Sequence, residues 1–416
     1  MTITAESSPP LSLAAAFTTH RTALLPDPAP AAPGARAAND ASPLPPGFDA
    51  AAFKRDLDEL RERVVADLGP RDLAHLRRVE WRGRLATLAG YATLWLPPNP
   101  LTAFCLSFGQ ITRWGLAHHI LHRGYDRVPG VEPRHTSKLF ARGKRRWLDW
   151  FDWIHPDAWH REHNVLHHYY TGEQGDPDLI ERNVEWVRES KAPKALKYLL
   201  VLLTGLTWRF TYYAPSTISV VDPDDTSKAA PAGAKGISVR DLFRFGRPQV
   251  RKLWKSCYLP YALAHFVALP ALFLPFGSDV ALFVLGNKLL AEALLNLHSF
   301  MVIGPNHSGE DLCRFDQHIG SREEFYVHQV LGSANYATGH DLGDHAQIWL
   351  NYQIEHHLFP DLPALKYQEI QPEVKRICLR HGLPYVQESI VERFRKMVDI
   401  WVGNTSMKKV RVFPAR

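Results

Sequence analysis

Histidine is the residue type in this sequence whose number and spacing point most directly to chemistry. The chain has 416 residues and 21 histidines, ten of which fall in four short windows. The first window, WGLAHHILHRGYD, contains His118, His119 and His122. Residues four apart lie on one face of a helix, so His118 and His122 can direct two imidazoles at one site. Imidazole is a ligand of iron, zinc, copper and nickel, and the window therefore predicts a metal site.

The second window repeats this arrangement. In HREHNVLHHYYTGEQGDPD, His163 and His167 share a helical face, His168 lies beside them, and His160 precedes them. An isolated histidine is most often a surface or core residue. Adjacent pairs with a partner four residues earlier are difficult to obtain by chance, so the clusters favour metal ligation.

Two more windows extend the set. In NYQIEHHLFPDLP, Gln353, His356 and His357 cover about 100° of a helix surface, and GPNHSGED adds His307, shortly after His298. A structural zinc site needs only three or four ligands. About eight clustered imidazoles are available here, which predicts two metal ions. The spacing alone does not identify the metal.

The elements that must position these windows are apolar. Residues 85–112 carry no charge and are interrupted by prolines within 97–100, which predicts two helices joined by a turn. Because two full membrane spans need about 40 apolar residues, this hairpin is short. Residues 256–278 and about 280–305 predict a second hairpin. Residues 198–208 are apolar but too short to span, so they predict an interfacial helix.

The basic residues predict the orientation of these hairpins. Lysine and arginine are absent from the turns at 97–100 and 275–279 and crowd the opposite ends. By the positive-inside bias, the crowded ends are cytoplasmic, and two hairpins then place every histidine window on that side. The basic residues in question are Arg77, Arg78, Arg82, Arg84, Arg123, Arg142, Lys144, Arg145, Arg146, Arg251, Lys252 and Lys255.

Bulk properties agree with a membrane protein of a reduced compartment. The formal charge is +6 and the sequence pI about 9.0, and the basic residues flank apolar segments, which favours an anionic membrane surface over nucleic acid. The 4 cysteines form no CxxC motif. We predict a disordered Ala/Pro-rich segment at 1–52, an amphipathic helical segment at 53–80, a membrane domain at 81–365 and a C-terminal helical segment at 366–416. The helix of 53–68 is interpreted as packed on its own domain, with a position on the membrane surface as the alternative.

The windows resemble the three histidine boxes of the integral-membrane fatty-acid desaturases and their hydroxylase relatives. The family pattern H-x(3–4)-H, H-x(2–3)-H-H and H/Q-x-x-H-H is matched by His118 to His122, His163 to His168 and Gln353 to His357. The resemblance covers about residues 80–365, and NYQIEHHLFP is closest to the front-end branch, which acts toward the carboxyl side of acyl chains. It implies an all-α polytopic membrane protein with four transmembrane helices in two hairpins and a cytoplasmic helical cap that holds a di-iron site.

The resemblance also implies a set of iron ligands. Carried over residue by residue, they are His118, His122, His163, His167, His168, His307, His356 and His357. Gln353 occupies a position at which some relatives have a ligand histidine, so it either holds a ligand ring or binds through water. His119 and His160 are candidates to orient ligand rings by hydrogen bonds, and His298 ranks below His307. Asp176 and Asp178 either do the same or cap a helix.

The implied reaction is O2-dependent desaturation of an acyl chain, with the double bond formed between two adjacent methylenes. The resemblance implies two iron ions and a substrate carried as an acyl-lipid or acyl-CoA. It also implies two electrons from a separate ferredoxin or cytochrome b5 type donor, because this sequence lacks the HPGG haem motif of fused relatives. His119 stands where many relatives have Asp. The alternatives are hydroxylation or epoxidation on the same scaffold, and a membrane metal-binding or transport protein without oxygenase activity.

Overall fold

The computed structural model describes residues 43–231 and 233–413, and these residues form a largely helical protein. The segment predicted to be disordered, 1–52, lies mostly outside the described residues. The principal helices are α1 (Ala50–Ala66), α2 (Pro70–Ala92), α3 (Pro100–Leu121), α4 (156–170), α5 (194–219), α6 (248–271), α7 (Ser278–Ile303), α8 (Arg322–Leu331), α9 (Asp341–Ala346), α10 (Gln353–Leu358), α11 (Ala364–Arg380) and α12 (Ile390–Val402).

Several of the longer helices include wider π-helical turns. These turns are His160–His167 in α4, Arg209–Tyr213 in α5, and Trp254–Tyr258 and Leu263–Ala268 in α6. Shorter helices and 3₁₀ turns connect the principal helices at Pro133–His135, Gly143–Arg145, Arg146–Asp149, Ile180–Asn183, Glu185–Arg188, Val239–Asp241, Leu274–Phe276, Gly304–His307 and Leu350–Tyr352. The strands β1 (Cys313–Phe315) and β2 (Lys408–Val410) form a parallel pair in which Cys313 lies opposite Lys408.

Helix α1 packs on the domain that follows it. Asp49 caps its start by accepting a hydrogen bond from the Ala52 amide at 2.9 Å. Its apolar face, which includes Phe53, Leu57 and Leu60, is buried in a cluster with residues of α8 and α11. The structure therefore favours the packed helix over a helix on the membrane surface.

Helices α2 and α3 form the first hairpin, and small residues allow them to approach closely. A Cβ atom added at Gly83 would lie 2.6 Å from Thr112 Cγ2, so no larger residue fits there without a shift. At the turn, Asn99 caps α3 by accepting a hydrogen bond from the Thr102 amide at 2.9 Å. The Asn287 side chain of α7 accepts a hydrogen bond from the Asn99 amide at 3.0 Å and donates to the Leu94 and Leu96 carbonyls. The turn is therefore fastened to the second hairpin.

Helices α6 and α7 form that second hairpin. Within the described residues, the segments Pro248–Phe276 and Ser278–His307 are long and apolar enough to cross a membrane. Glu292, which is unusual in such a segment, accepts hydrogen bonds from Trp153 Nε1 at 2.6 Å and Tyr261 Oη at 2.9 Å. Hydrogen-bond donors from neighbouring elements thus compensate for the burial of this carboxylate.

Helix α5 is longer than the sequence predicted. The apolar run ends at Arg209, but the helix continues to Ser219. Arg209 is buried and pairs with Asp152, and it also lies 3.4 Å from Glu292. Because these carboxylates compensate for burial of the guanidinium, the charge does not end the helix. The sequence does not reveal these partners, since they lie on distant segments.

The two hairpins and α5 share an apolar outer surface. Large apolar side chains on their outer faces remain exposed, whereas the cap formed by α4 and α8–α12 has few such residues. An exposed apolar area of this extent marks contact with a membrane or another protein. The residues are Trp81, Leu85, Leu88 and Tyr91 of α2, Leu101 and Phe104 of α3, Leu196, Leu199, Leu202 and Leu203 of α5, Leu259, Leu263 and Val267 of α6, and Leu282, Leu289, Leu290 and Leu294 of α7.

The buried Arg209 ion pair generates a prediction about stability. Replacing Arg209 with Leu leaves the Asp152 carboxylate buried without its partner. We expect the free energy of unfolding to fall by about 3–5 kcal/mol, measured by denaturant unfolding in detergent micelles. The matched control is Arg244→Leu, since Arg244 is exposed and its pair with Asp241 is expected to contribute about 0–1 kcal/mol. Equal losses in the two variants would contradict the prediction.

Candidate metal centre

Four elements bring the histidine windows together. The last turn of α3 carries His118, and His122 caps its end, while the π-helical part of α4 carries His163 and His167. The turn Gly304–His307 after α7 supplies His307. The short helix α10 supplies His356 and His357, and His168 follows the π-helical turn. All eight residues predicted as ligands therefore meet in one buried region, although their windows are far apart in the sequence.

One group of imidazoles joins the first, second and third windows. The ligand atoms of His118, His122, His163 and His356 all lie within 4.8 Å of one another, and all four residues are buried. His118 Nε2 lies 3.0 Å from His356 Nε2. Separate segments of the chain supply the four rings, which is an arrangement that can surround a single cation.

A second group lies next to the first. The ligand atoms of His167, His307 and His357 also lie within 4.8 Å of one another and are buried. His168 lies between the two groups, with its ring centroid 4.1 Å from that of His357 and 4.4 Å from that of His122. Two adjacent groups of this kind could hold two metal ions, with the ring of His168 between them.

Hydrogen bonds on the far side of the second group fix the orientation of its rings. His167 Nδ1 lies 2.9 Å from Asp176 Oδ1, and His307 Nδ1 lies 2.9 Å from the Gly332 carbonyl oxygen. His357 Nδ1 lies 2.7 Å from Gln329 Oε1. If each Nδ1 carries the proton that its acceptor requires, Nε2 of His167 and of His357 keeps a lone pair for a metal ion. Nε2 of His307 faces the Gln353 amide nitrogen instead, at 2.8 Å.

Burial leaves three of the candidate ligand rings in the protonation state that binds a metal ion. Burial holds the pKa values of His163, His168 and His356 well below 6.5, so these imidazoles are neutral near pH 7, which is the form that binds a metal ion. Burial also lowers the pKa of His167, but the Asp176 carboxylate more than offsets this and the net pKa is raised. The Asp176 carboxylate therefore favours the protonated form of the His167 ring while no metal ion is bound.

The donor set fits a transition metal. Buried polar atoms are nearly always hydrogen-bonded. Yet His122 Nε2, His357 Nε2 and both ring nitrogens of His163 and His168 have no partner among the described residues. All four residues belong to groups of imidazoles whose ligand atoms lie within 4.8 Å of one another. Iron, zinc, copper and nickel all accept imidazole ligands, so the residues present can hold such ions.

The structure places the other four predicted residues around this centre but outside its groups. Gln353 Nε2 lies 2.8 Å from His307 Nε2, which makes Gln353 the nearest of them to a ligand atom. His119 Nε2 donates to the Ile348 carbonyl at 2.8 Å, and His160 Nδ1 accepts from Asn164 at 2.8 Å. His298 Nε2 donates to the Ala346 carbonyl at 2.8 Å.

Several residues of the site had no signal in the sequence. Gln329 of α8 orients His357, and Tyr367 of α11 lies 3.2 Å from His356 Nδ1 through its hydroxyl. Each lies on an amphipathic helix, and nothing in the surrounding sequence marks it as part of a metal site. Asp178 forms a possible metal-binding group with His163 and His167. Unlike Gln329 and Tyr367, Asp178 was already a candidate from the sequence, either to orient a ligand ring or to cap a helix.

Comparisons with known proteins agree with this arrangement. A family model described as fatty acid desaturase matches residues 90–389. The chain is 26% identical over 349 residues to an NADPH-dependent stearoyl-CoA 9-desaturase of Mycobacterium tuberculosis, covering 83% of this chain and 76% of the relative. It is 39% identical over 327 residues to fatty acid desaturase 3 of Homo sapiens, covering 73% and 62%. It is 26% identical over 304 residues to an acyl-lipid 8-desaturase of Rebecca salina, covering 71% and 61%.

The hydrogen bond between Asp176 and His167 generates a prediction. In Asp176→Asn the charge that supports the His167 ring is lost, and we expect metal affinity to fall by about 10–100-fold. The measurement is metal content by plasma mass spectrometry after equilibration with graded free metal. Asp224→Asn, on an exposed loop, is the matched control and should bind as the wild type does. Unchanged affinity in Asp176→Asn would show that this contact does not support a ligand.

Proposed function

This chain belongs to the fatty acid desaturase family, and on that premise we propose that its eight clustered imidazoles hold two iron ions that serve O2-dependent formation of a double bond in an acyl chain. The chain is a fatty acyl desaturase, and therefore an oxidoreductase. One observation carries the proposal about its metal centre. Two adjacent groups of buried imidazoles, assembled from four separate segments, have ring nitrogens without partners among the described residues.

Iron bound in this centre would supply, with O2 and two electrons, the oxidising power to remove two hydrogens from adjacent methylenes. The substrate carbons offer no group for acid–base catalysis, so the side chains of the protein act by holding ligands and excluding water. Trp159 contributes to both tasks. Its ring lies 4.8 Å from that of His163 and 5.4 Å from that of His118, and its Nε1 donates to Tyr213 Oη at 2.9 Å. Trp114 covers His118 at 5.3 Å.

The proposed membrane arrangement has four spans, formed by α2, α3, α6 and α7. The exposed apolar side chains on the outer faces of these helices support it, as does the length of the second hairpin. Basic residues crowd the ends of the hairpins near the histidine centre, which favours a cytoplasmic position for the cap. We assign α5 to the membrane interface, because only one side of it is apolar and exposed.

The proposed partners are an acyl substrate, O2 and an external electron donor. The names of the relatives include a stearoyl-CoA desaturase and an acyl-lipid desaturase, so carrier preference differs among proteins similar to this chain. The sequence has no HPGG haem motif. We therefore propose a separate one-electron donor, such as a ferredoxin or a cytochrome b5. The Gln353-x-x-His356-His357 string further supports oxidation toward the carboxyl end of the chain.

Product analysis tests the proposed reaction. We expect expression with a reductase partner in a host of known lipid content to yield fatty acids lighter by two hydrogens, resolved by gas chromatography–mass spectrometry. His167→Asn removes a central imidazole and should abolish the product. His340→Asn is the matched control, because His340 is exposed, lies outside the centre and caps α9 in a way that Asn can replace. A product heavier by one oxygen would contradict desaturation and indicate a hydroxylase.

A further inference from the structure

Two cavities lie side by side between α2 and α3. The outer cavity has a volume of about 110 Å³, and residues of the loop 134–149 line it together with the two helices. The inner cavity, of about 10 Å³, extends toward the cap. Thr112 and Leu116 line both cavities. The two cavities therefore form one path that the side chains of Thr112 and Leu116 interrupt.

The inner cavity ends beside the metal centre. His119 lines it, and the ring of His119 lies 5.1 Å from that of His118 and 6.0 Å from that of His356. Its remaining walls are mainly apolar, with Val79, Leu116, Ile348 and Trp349 among them. Its volume corresponds to about one water molecule, so Leu116 and its neighbours must move when a larger group enters.

The outer cavity is rich in guanidinium groups. Arg84, Arg113, Arg134 and Arg145 line it, together with the carboxylates of Glu80 and Asp149. Three of the arginines are already engaged: Arg84 and Arg134 pair with Glu80, and Arg145 pairs with Asp149. Arg113 forms no ion pair or hydrogen bond with any residue of the described ranges, and it is exposed. The cavity thus has an excess of positive charge and one arginine available to a ligand.

The rim of the outer cavity has the character of a lipid–water interface. Leu148 lines the cavity and is 73% exposed, and Trp81 and Trp147, which adjoin the lining residues Glu80 and Leu148 in the sequence, are 59% and 43% exposed. Tryptophan is enriched at membrane interfaces, with arginine extending toward the headgroups. A rim of this composition is typical of a surface that faces a membrane leaflet. A water-soluble carrier would gain nothing from the apolar part of the rim.

We propose that the outer cavity binds the phosphate of a membrane glycerophospholipid, with Arg113 as its principal contact, and that an acyl chain of this lipid passes Thr112 and Leu116 to the metal centre. The proposal rests on the proposed function and names its substrate class. Guanidinium groups bind phosphate through paired charge-assisted hydrogen bonds. Arg113 precedes His118 by five positions on α3, or about 7.5 Å of helix rise. Carbons near the carboxyl end of the chain would therefore lie nearest the centre.

Lipid retention tests the phosphate site without reference to catalysis. The purified full-length protein is exchanged into detergent with equal amounts of phosphatidylglycerol and diacylglycerol bearing the same acyl chains, and bound lipid is measured by native mass spectrometry. We expect the wild type to retain phosphatidylglycerol preferentially. Arg113→Gln should lower that retention about tenfold, as expected for loss of one charge-assisted contact. Arg78→Gln is the matched control, since Arg78 is an exposed arginine of α2 that lines neither cavity. Equal retention by Arg113→Gln and the wild type would overturn the proposal.

A comparison of carriers separates this inference from the proposed function. The reduced wild-type enzyme is given O2 and either phosphatidylglycerol in nanodiscs or the matching acyl-CoA in phospholipid-free detergent. Double bonds formed in the intact phospholipid, with KM raised in Arg113→Gln at similar kcat, would support the inference. Product from acyl-CoA alone would overturn it while leaving the desaturase function intact. No product from either carrier would contradict both.

Discussion

The structure depends on the burial of imidazoles whose nitrogens need a partner. A polar group removed from water without a hydrogen bond costs roughly 1–3 kcal/mol by mutational measures, and several ring nitrogens of the centre have no partner among the described residues. A fold that concentrates such groups is favourable only if something else satisfies them. Metal ions meet this requirement, because each can accept several lone pairs at once. The histidine centre is therefore best explained as a site completed by metal.

The rest of the architecture holds this centre in place. Its candidate ligands come from the ends of the hairpin helices and from the cap, so the two hairpins must keep a fixed register. Asn287 provides one fixed point by bonding three backbone groups around the turn before α3. Glu292 and Arg209 provide another, where α5 and α7 meet the segment that contains Asp152. Both contacts use buried polar groups, which set a relative position more specifically than apolar packing does.

The clustering of the candidate ligands was predictable from the sequence because their signal is local. Spacing of three or four residues on a helix is visible in the sequence, and the structure gathers all eight predicted imidazoles in one region. Their orienting partners were less accessible. Gln329 and Tyr367 contact the third window from α8 and α11. Contacts between distant segments leave no periodic pattern in the sequence. The full length of α5 was missed for the same reason, since the residues that allow Arg209 to be buried lie on other segments.

Metal stoichiometry tests the central claim most directly. The protein would be expressed in iron-supplemented medium, purified in detergent, and analysed for iron per chain by plasma mass spectrometry, with Mössbauer spectroscopy to define the iron sites. Two adjacent groups of imidazoles predict two iron ions per chain, each in a nitrogen-rich environment. A single iron ion per chain would contradict the account of a di-iron centre. A protein filled with zinc, whose activity iron does not restore, would also contradict it.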